Sequence, residues 1–412
     1  MKRIVLACLL SPVITFAQKE IKPSISKAEV ALQKGNFDEA KTIIDATTSS
    51  QEFMVDKKGN PSKNAAKAWY VKGMIYTCID TTKVEKFKSL EADPFAVAKE
   101  AFTKSDEIDK GKTESMVNRL FLGQPLPMSR KEVNSTFAQK FLERGYNIYK
   151  TKDYKKAFSD IEKVVYFVPD DTAQLMNAGV YFAPLADEND KAIVYINKYI
   201  AAGGKSTDAY VQLYNIYSKR KDFDSALKVA KEMTSKYPNN ADFMNMEYNL
   251  YTQTNRLPEA KATMEKRANS NPTDKEARYF LGLISNEMKD KGETLKWMQE
   301  AVKIDPDYFD ANLVIAKLIY ADAQKLRTER NAITGSKPAD LAKRQELFQK
   351  IPLKMKESEV YWQKCVAAKP TDEEALYGLL SIYNDISTSD DKYDSKIIEL
   401  KKKMKALGLE VD

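Results

Sequence analysis

Three prolines, Pro238, Pro272 and Pro306, stand 34 residues apart and set the strongest constraint on the fold of this chain. Each lies near the end of an apolar-periodic stretch that pairs with a preceding one, and the pairs begin at Thr207, Ala241 and Lys275. Proline has no amide donor and disfavours the α conformation in the residue before it, so each one stops a helix. A helix pair rewritten at a fixed period of this length predicts a stack of helical hairpins, in which each unit buries its apolar face only against its neighbours.

Composition agrees with such an array. The chain has 412 residues, 43% hydrophobic and 30% charged, with 14 glycines and 15 prolines, as expected for long runs of half-exposed helix. Its 66 basic and 59 acidic side chains leave a net charge of +7. The signs are interspersed without a basic stripe carrying interleaved aromatics, so nucleic acid is not an expected partner. The first residues read Met1-Lys2-Arg3, an apolar run from Ile4 to Ile14, then Thr15-Phe16-Ala17 before Gln18. This pattern predicts a signal peptide over 1–17 and an exported protein, periplasmic or associated with the outer membrane. Removal of Lys2 and Arg3 would leave +5. Around Cys8 the sequence loosely resembles a lipidation site, but only Ile4 to Ala7 would precede it as apolar region. No later run is long enough to cross a membrane, and Cys78 and Cys365 read as isolated small core residues.

Further repeats are legible on both sides of 207–308. The first is marked by Ala28, Ala31, the Gly35-Asn36-Phe37 turn, Ala40 and Ile44. The second carries Trp69-x2-Lys72-Gly73-x2-Tyr76, then Ala98-x3-Phe102, with a charged insertion from Thr77 to Pro94 expected to project from one edge. A third restarts at Phe141, Gly145, Ile148, Tyr154, Ala157, Ile161 and Pro169. The fourth, slightly longer, places Ala178 and Tyr181 on one helix and Ala192, Ile196 and Tyr199 on the next. Repeat eight starts at Phe309 with Ala316 and Ile319, but its second helix resumes only near Glu357; the intervening residues predict a helical hairpin turned at Gly335-Ser336-Lys337-Pro338. Repeat nine ends the array with Leu376, Leu380, Tyr383, Tyr393, Leu400 and a charged terminus.

This pattern of small, aromatic and proline positions resembles the tetratricopeptide repeat (TPR) family. The resemblance implies an all-α, right-handed α-solenoid of about nine TPR hairpins, with helical inserts in repeats two and eight. The expected organisation is residues 18–110 as a first sub-array, 111–137 as a linker or irregular helix, and 138–412 as a second. The apolar stretch 120–127 either seals an exposed helix face or docks a partner.

The chain has no histidine, which removes the common acid-base, triad and zinc arrangements. Gly111-Lys112-Thr113 echoes a phosphate loop but lacks its first glycine, and the acids at Asp305, Asp307 and Asp310 suit capping. No cofactor, no metal and no catalysis are expected. The resemblance instead implies a concave face lined by the first helices, with Leu142, Tyr146 and Tyr149 from repeat three, and Val211, Asn215 and Ser218 from five. Repeat six supplies Asn245, Asn249 and Thr252, and repeat seven Tyr279, Leu283 and Asn286. Asn215 and Asn249 share one register position, where an amide can both donate to and accept from an extended peptide; they could equally be solvated surface residues. The function expected is a non-catalytic scaffold or adaptor that binds envelope or secreted proteins, or peptide segments, in a cell-envelope assembly. A glycan- or small-ligand-binding envelope protein on the same frame is the alternative.

Overall fold

The computed structural model describes residues 21–110, 128–238, 240–388 and 390–411. The expected signal peptide, Cys8, the Gly111-Lys112-Thr113 echo and the stretch 120–127 lie outside the described residues. What is described is all-α, with an isolated bridge between Val55 and Pro61. The chain divides into two compact units, Met1–Gln212 and Leu213–Asp412.

In the first unit the helices are α1 (Ile25–Gln33), α2 (Phe37–Ser49), α3 (Gln51–Met54), α4 (Ala65–Thr81), α5 (Glu85–Lys88) and α6 (Pro94–Asp109). They are followed by α7 (Arg130–Tyr149), α8 (Tyr154–Phe167), α9 (Thr172–Met176), α10 (Ala183–Leu185) and α11 (Asn189–Ala201). The hairpins form as expected, with Ala28, Ala40, Ile44, Ala157 and Ile161 wholly buried. Two corrections concern the insertion in repeat two. α4 continues to Thr81, so Thr77, Cys78 and Ile79 are core rather than insert. The remainder does not project: α5 folds back and buries Phe87, whose ring lies 5.1 Å from that of Phe37.

Residues 130–137, expected within a linker or irregular helix, are the first turns of α7, whose start is fixed by a capping box between Ser129 and Glu132. Elements on either side of 111–127 pack together. The Phe167 ring sits 5.3 Å from Phe137, 6.0 Å from both Phe102 and Phe141, and 6.1 Å from Phe95. Nearby, Arg144 donates to Asp80 and Asp160, at 2.6 Å each from Nη2, while Lys163 reaches Asp80 at 2.7 Å. Both carboxylates are almost fully buried, so the charges are held as a network joining α4, α7 and α8.

Repeat four contains an irregularity that explains its length. It and the next repeat begin 35 residues apart, at Thr172 and Thr207, and residues Asn177–Phe182 form a π-helix between α9 and α10. A π turn absorbs one extra residue. Gly179, seven residues after Thr172 as Gly282 is after Lys275, sits at the helix crossing, where a Cβ would lie 2.8 Å from the backbone nitrogen of Ile196. Tyr181 faces solvent.

α12 (Thr207–Lys219) runs across the division between units. The second unit continues with α13 (Phe223–Lys236), α14 (Ala241–Gln253), α15 (Leu257–Ser270), α16 (Lys275–Glu287), α17 (Lys291–Ile304), α18 (Phe309–Ala332), α19 (Pro338–Ala368), α20 (Glu373–Ser387) and α21 (Lys392–Ala406). The first helices of repeats five to seven begin at the positions read from the period, and each second helix ends two residues before its proline. Repeat eight is lengthened at both helices, making α18 and α19 a long hairpin turned at 333–337.

The turns inside the hairpins follow one rule. Gly35, Lys152, Asp187, Lys221, Asn255 and Lys289 all have positive φ, between 55° and 74°. Behind them an amide reaches back to an earlier carbonyl, as from Asp222 to Tyr217 (2.9 Å), Arg256 to Tyr251 (2.8 Å) and Asp290 to Ser285 (2.9 Å), closing the first helix with a left-handed cap. Asp153, Asp222 and Asp290 then cap the second helix with their side chains.

Candidate protein-binding face

The fixed period carries every first helix into the same orientation relative to its own partner, so a given register position presents equivalent side chains from one repeat to the next. In the second unit the expected face comprises Asn215 and Ser218 on α12, Asn245, Asn249 and Thr252 on α14, and Tyr279, Leu283 and Asn286 on α16. Asn245, Asn249 and Asn286 are exposed and Asn215 is half-exposed. Among the described residues none of these four amides is engaged in a hydrogen bond, so each presents a donor pair and an acceptor to solvent.

The other expected members are used differently. The Ser218 hydroxyl is shut away from water, which removes it as a contact. Thr252 bonds back to the Tyr248 carbonyl at 2.8 Å. Tyr279 and Leu283 pack into the apolar layer between α14, α16 and α18, and burial, followed by the nearby Asp310 charge, pushes the Tyr279 hydroxyl up to about 12. They form the wall of the face rather than its polar floor.

Two residues were not expected. The register position that holds Gly145, Gly179 and Gly282 in other repeats holds Tyr214 and Tyr248 in repeats five and six. At Gly282 the hairpin is tight: an added Cβ would come within 2.6 Å of Met298. In repeat six, with Tyr248 in that place, α14 and α15 stand farther apart than α16 and α17 do. Each tyrosine reaches toward the next first helix, Tyr214 to the Met246 carbonyl at 3.3 Å and Tyr248 to the Phe280 ring at 5.8 Å. Asn215 and Asn249 directly follow these tyrosines. The signal was present in the sequence as a bulky residue where the period calls for a small one.

In the first unit Leu142 and Val211 are half-buried, while Tyr146 and Tyr149 are 41% and 39% exposed. Both tyrosines lean on Phe182, at 5.3 and 5.5 Å with interplanar angles of 81° and 59°, and Tyr149 also meets Tyr154 at 5.6 Å. They are packing residues with one free edge.

Cys78 and Cys365 are buried and free, and burial pushes both thiols up to about 12, away from nucleophilic chemistry. Among the described residues no group of three or more potential ligands could hold a metal ion, and no helix is long and apolar enough to cross a membrane. The face offers neutral hydrogen bonding flanked by aromatic and aliphatic surface, the chemistry of backbone recognition.

Serial helical hairpins with small crossing residues, left-handed turns and proline stops define a helical-repeat protein. Residues 217–284 and 275–308 match two family models, both described as tetratricopeptide repeat. Over residues 217–308 the chain belongs to the tetratricopeptide repeat family. No curated protein matches its sequence. Solved structures similar to it include a TPR repeats protein from Bacteroides fragilis (14% identity, covering 60% of this chain and 99% of that one, TM-score 0.36). Another is YrrB, described as a TPR protein with an unusual peptide-binding site (16%, 42% and 89%, TM-score 0.28). Yeast Tom70 is a third (14%, 92% and 80%, TM-score 0.28).

Proposed function

We propose that this chain is a non-catalytic scaffold that holds extended segments of partner proteins against the first-helix face of repeats five to seven. The observation that carries the reading is the recurrence of an open amide, Asn215 and Asn249, at one register position beside Tyr214 and Tyr248. Amides that repeat along the array can satisfy the backbone of an extended peptide at intervals without demanding particular side chains. The N-terminal pattern supports export, and with it partners among envelope or secreted proteins. The glycan-binding alternative finds less support, because Tyr146 and Tyr149 are tilted against Phe182 instead of lying open as stacking platforms.

The test is a crosslinking pull-down from the envelope fraction with wild type and with Asn215→Ala/Asn249→Ala. A defined protein set that the double variant loses is the expected outcome. Equal recovery by both proteins, or none by either, would refute binding through this face. Recovery only from the cytoplasmic fraction would refute export.

A further inference from the structure

The long hairpin of repeat eight carries a second feature, independent of the first-helix face. Where α18 and α19 extend beyond the normal repeat, they enclose with the end of α20 a cleft of about 280 Å³ lined by Arg327, Arg330, Phe348, Ile351, Pro352 and Met355, with Asp385 and Thr388. That volume lies below the usual range for cofactor or drug-sized sites, roughly 300 Å³ and above, and suits one or two side chains. Its floor is apolar, with Met355 and Ile351 buried, while the Phe348 ring is 52% exposed at the mouth.

Three polar features of the cleft differ in what they leave open. Asp385 is saturated, accepting from Tyr320 (3.0 Å), Gln324 (3.1 Å) and Arg327 (2.9 Å). Arg330 is not: its Nε and Nη2 donate to Asn331, Nη1 has no acceptor among the described residues, and the guanidinium lies 5.9 Å from the Phe348 ring centre. Pro352 stands inside α19, so the Phe348 carbonyl lacks the amide that would close the helical turn. The cleft thus offers a cationic donor at the rim of an apolar floor.

From residue 324 to 356 there are nine Lys and Arg against three Asp and Glu, a surplus of +6. Arg327, Lys354 and Lys356 pair with Asp385, Glu357 and Asp390 outside that stretch, so the hairpin keeps a net surplus of +3.

We propose that this cleft docks an acidic peptide segment bearing one large apolar anchor. The anchor enters over Ile351 and Met355, and a flanking carboxylate meets Arg330. The basic hairpin steers the segment inward, a contribution that weakens as salt rises.

Fluorescence anisotropy tests this with the full chain and a labelled peptide carrying one phenylalanine between glutamates. The controls replace the glutamates with lysines, or the phenylalanine with serine. The glutamate–phenylalanine peptide should bind, and Arg330→Glu and Phe348→Ser should each weaken it about tenfold or more. Asn215→Ala/Asn249→Ala should leave it unchanged, which separates this site from the first-helix face. Neither Arg330 nor Phe348 is a core residue, and an unchanged melting temperature confirms that each variant is folded. Equal binding of the lysine peptide, no binding of any peptide, or indifference to both substitutions overturns the proposal. So would binding of phosphatidylglycerol vesicles that depends on Arg330 and Phe348 when the peptides do not bind, since the cleft would then belong to a lipid surface.

Discussion

Glu247 shows how one side chain can set a pH dependence for the array. It is 1% exposed on α14, with Oε2 accepting from Thr234 at 2.8 Å and Oε1 buried without a partner. Burial raises its carboxyl above the ordinary value, and the Thr234 bond and the Lys231 charge offset this only in part. A raised acid binds its proton more tightly in the folded state, so its contribution is fully present below the unfolded value and is lost as pH rises through the folded one. Glu247→Gln should therefore change stability little near pH 4 and raise it by about 1 kcal/mol near pH 8. Urea unfolding at both values would check this, and parallel pH profiles for the two proteins would refute it. Single residues also show the limits of the sequence. Gly35 announced its turn, but Lys152, Lys221 and Lys289 adopt the same left-handed conformation with no local sign of it. The closing amide bonds and the Asp caps hold them there, and those depend on the whole hairpin. Asn215 and Asn249 were legible from register alone, whereas the inward turn of the Ser218 hydroxyl was set by neighbours that register does not record.

At the scale of elements, the Asp80–Arg144–Asp160–Lys163 network ties three helices together around two carboxylates that are nearly out of water, with Arg144 34% exposed. Removing one partner leaves the others buried and uncompensated, a larger loss than that of a surface pair. Arg144→Ala should destabilise the first unit by about 3 kcal/mol. Chemical unfolding would measure this, and a change within experimental error would show that Lys163 alone neutralises both acids. Helix starts in repeats five to seven were readable because period, caps and prolines agree. The insertion in repeat two was placed too early because Thr77 to Thr81 look polar in sequence. Their hydroxyls bond back to α4, with Thr77 donating to the Gly73 carbonyl at 2.8 Å and Thr81 to the Thr77 carbonyl at 3.0 Å, so a helix accommodates them. The cleft at Arg330 and Phe348 could not be read at all, because it forms from residues on three helices brought together only by folding.

For the whole molecule, the repeat architecture makes stability a sum over neighbouring units rather than a property of one core. The second unit has its own clusters, around Met244, Tyr251 and Phe280 and around Trp362, Leu376 and Tyr383. A fragment of residues 205–412, cut at Gly203-Gly204 so that α12 stays intact, should fold and unfold cooperatively by circular dichroism. A fragment without a melting transition would show that the first unit is required. The π turn in repeat four has a consequence for the array as a whole. In a regular α-helix one added residue rotates everything beyond it by about 100°. Here the surplus is spent before Ala192, which is wholly buried at its expected place, so α12 starts in phase with the repeats that follow. An array that can cancel a length error within one helix need not pass it on. It can therefore accept insertions, such as the long hairpin of repeat eight, while the 34-residue spacing of repeats five to seven is kept.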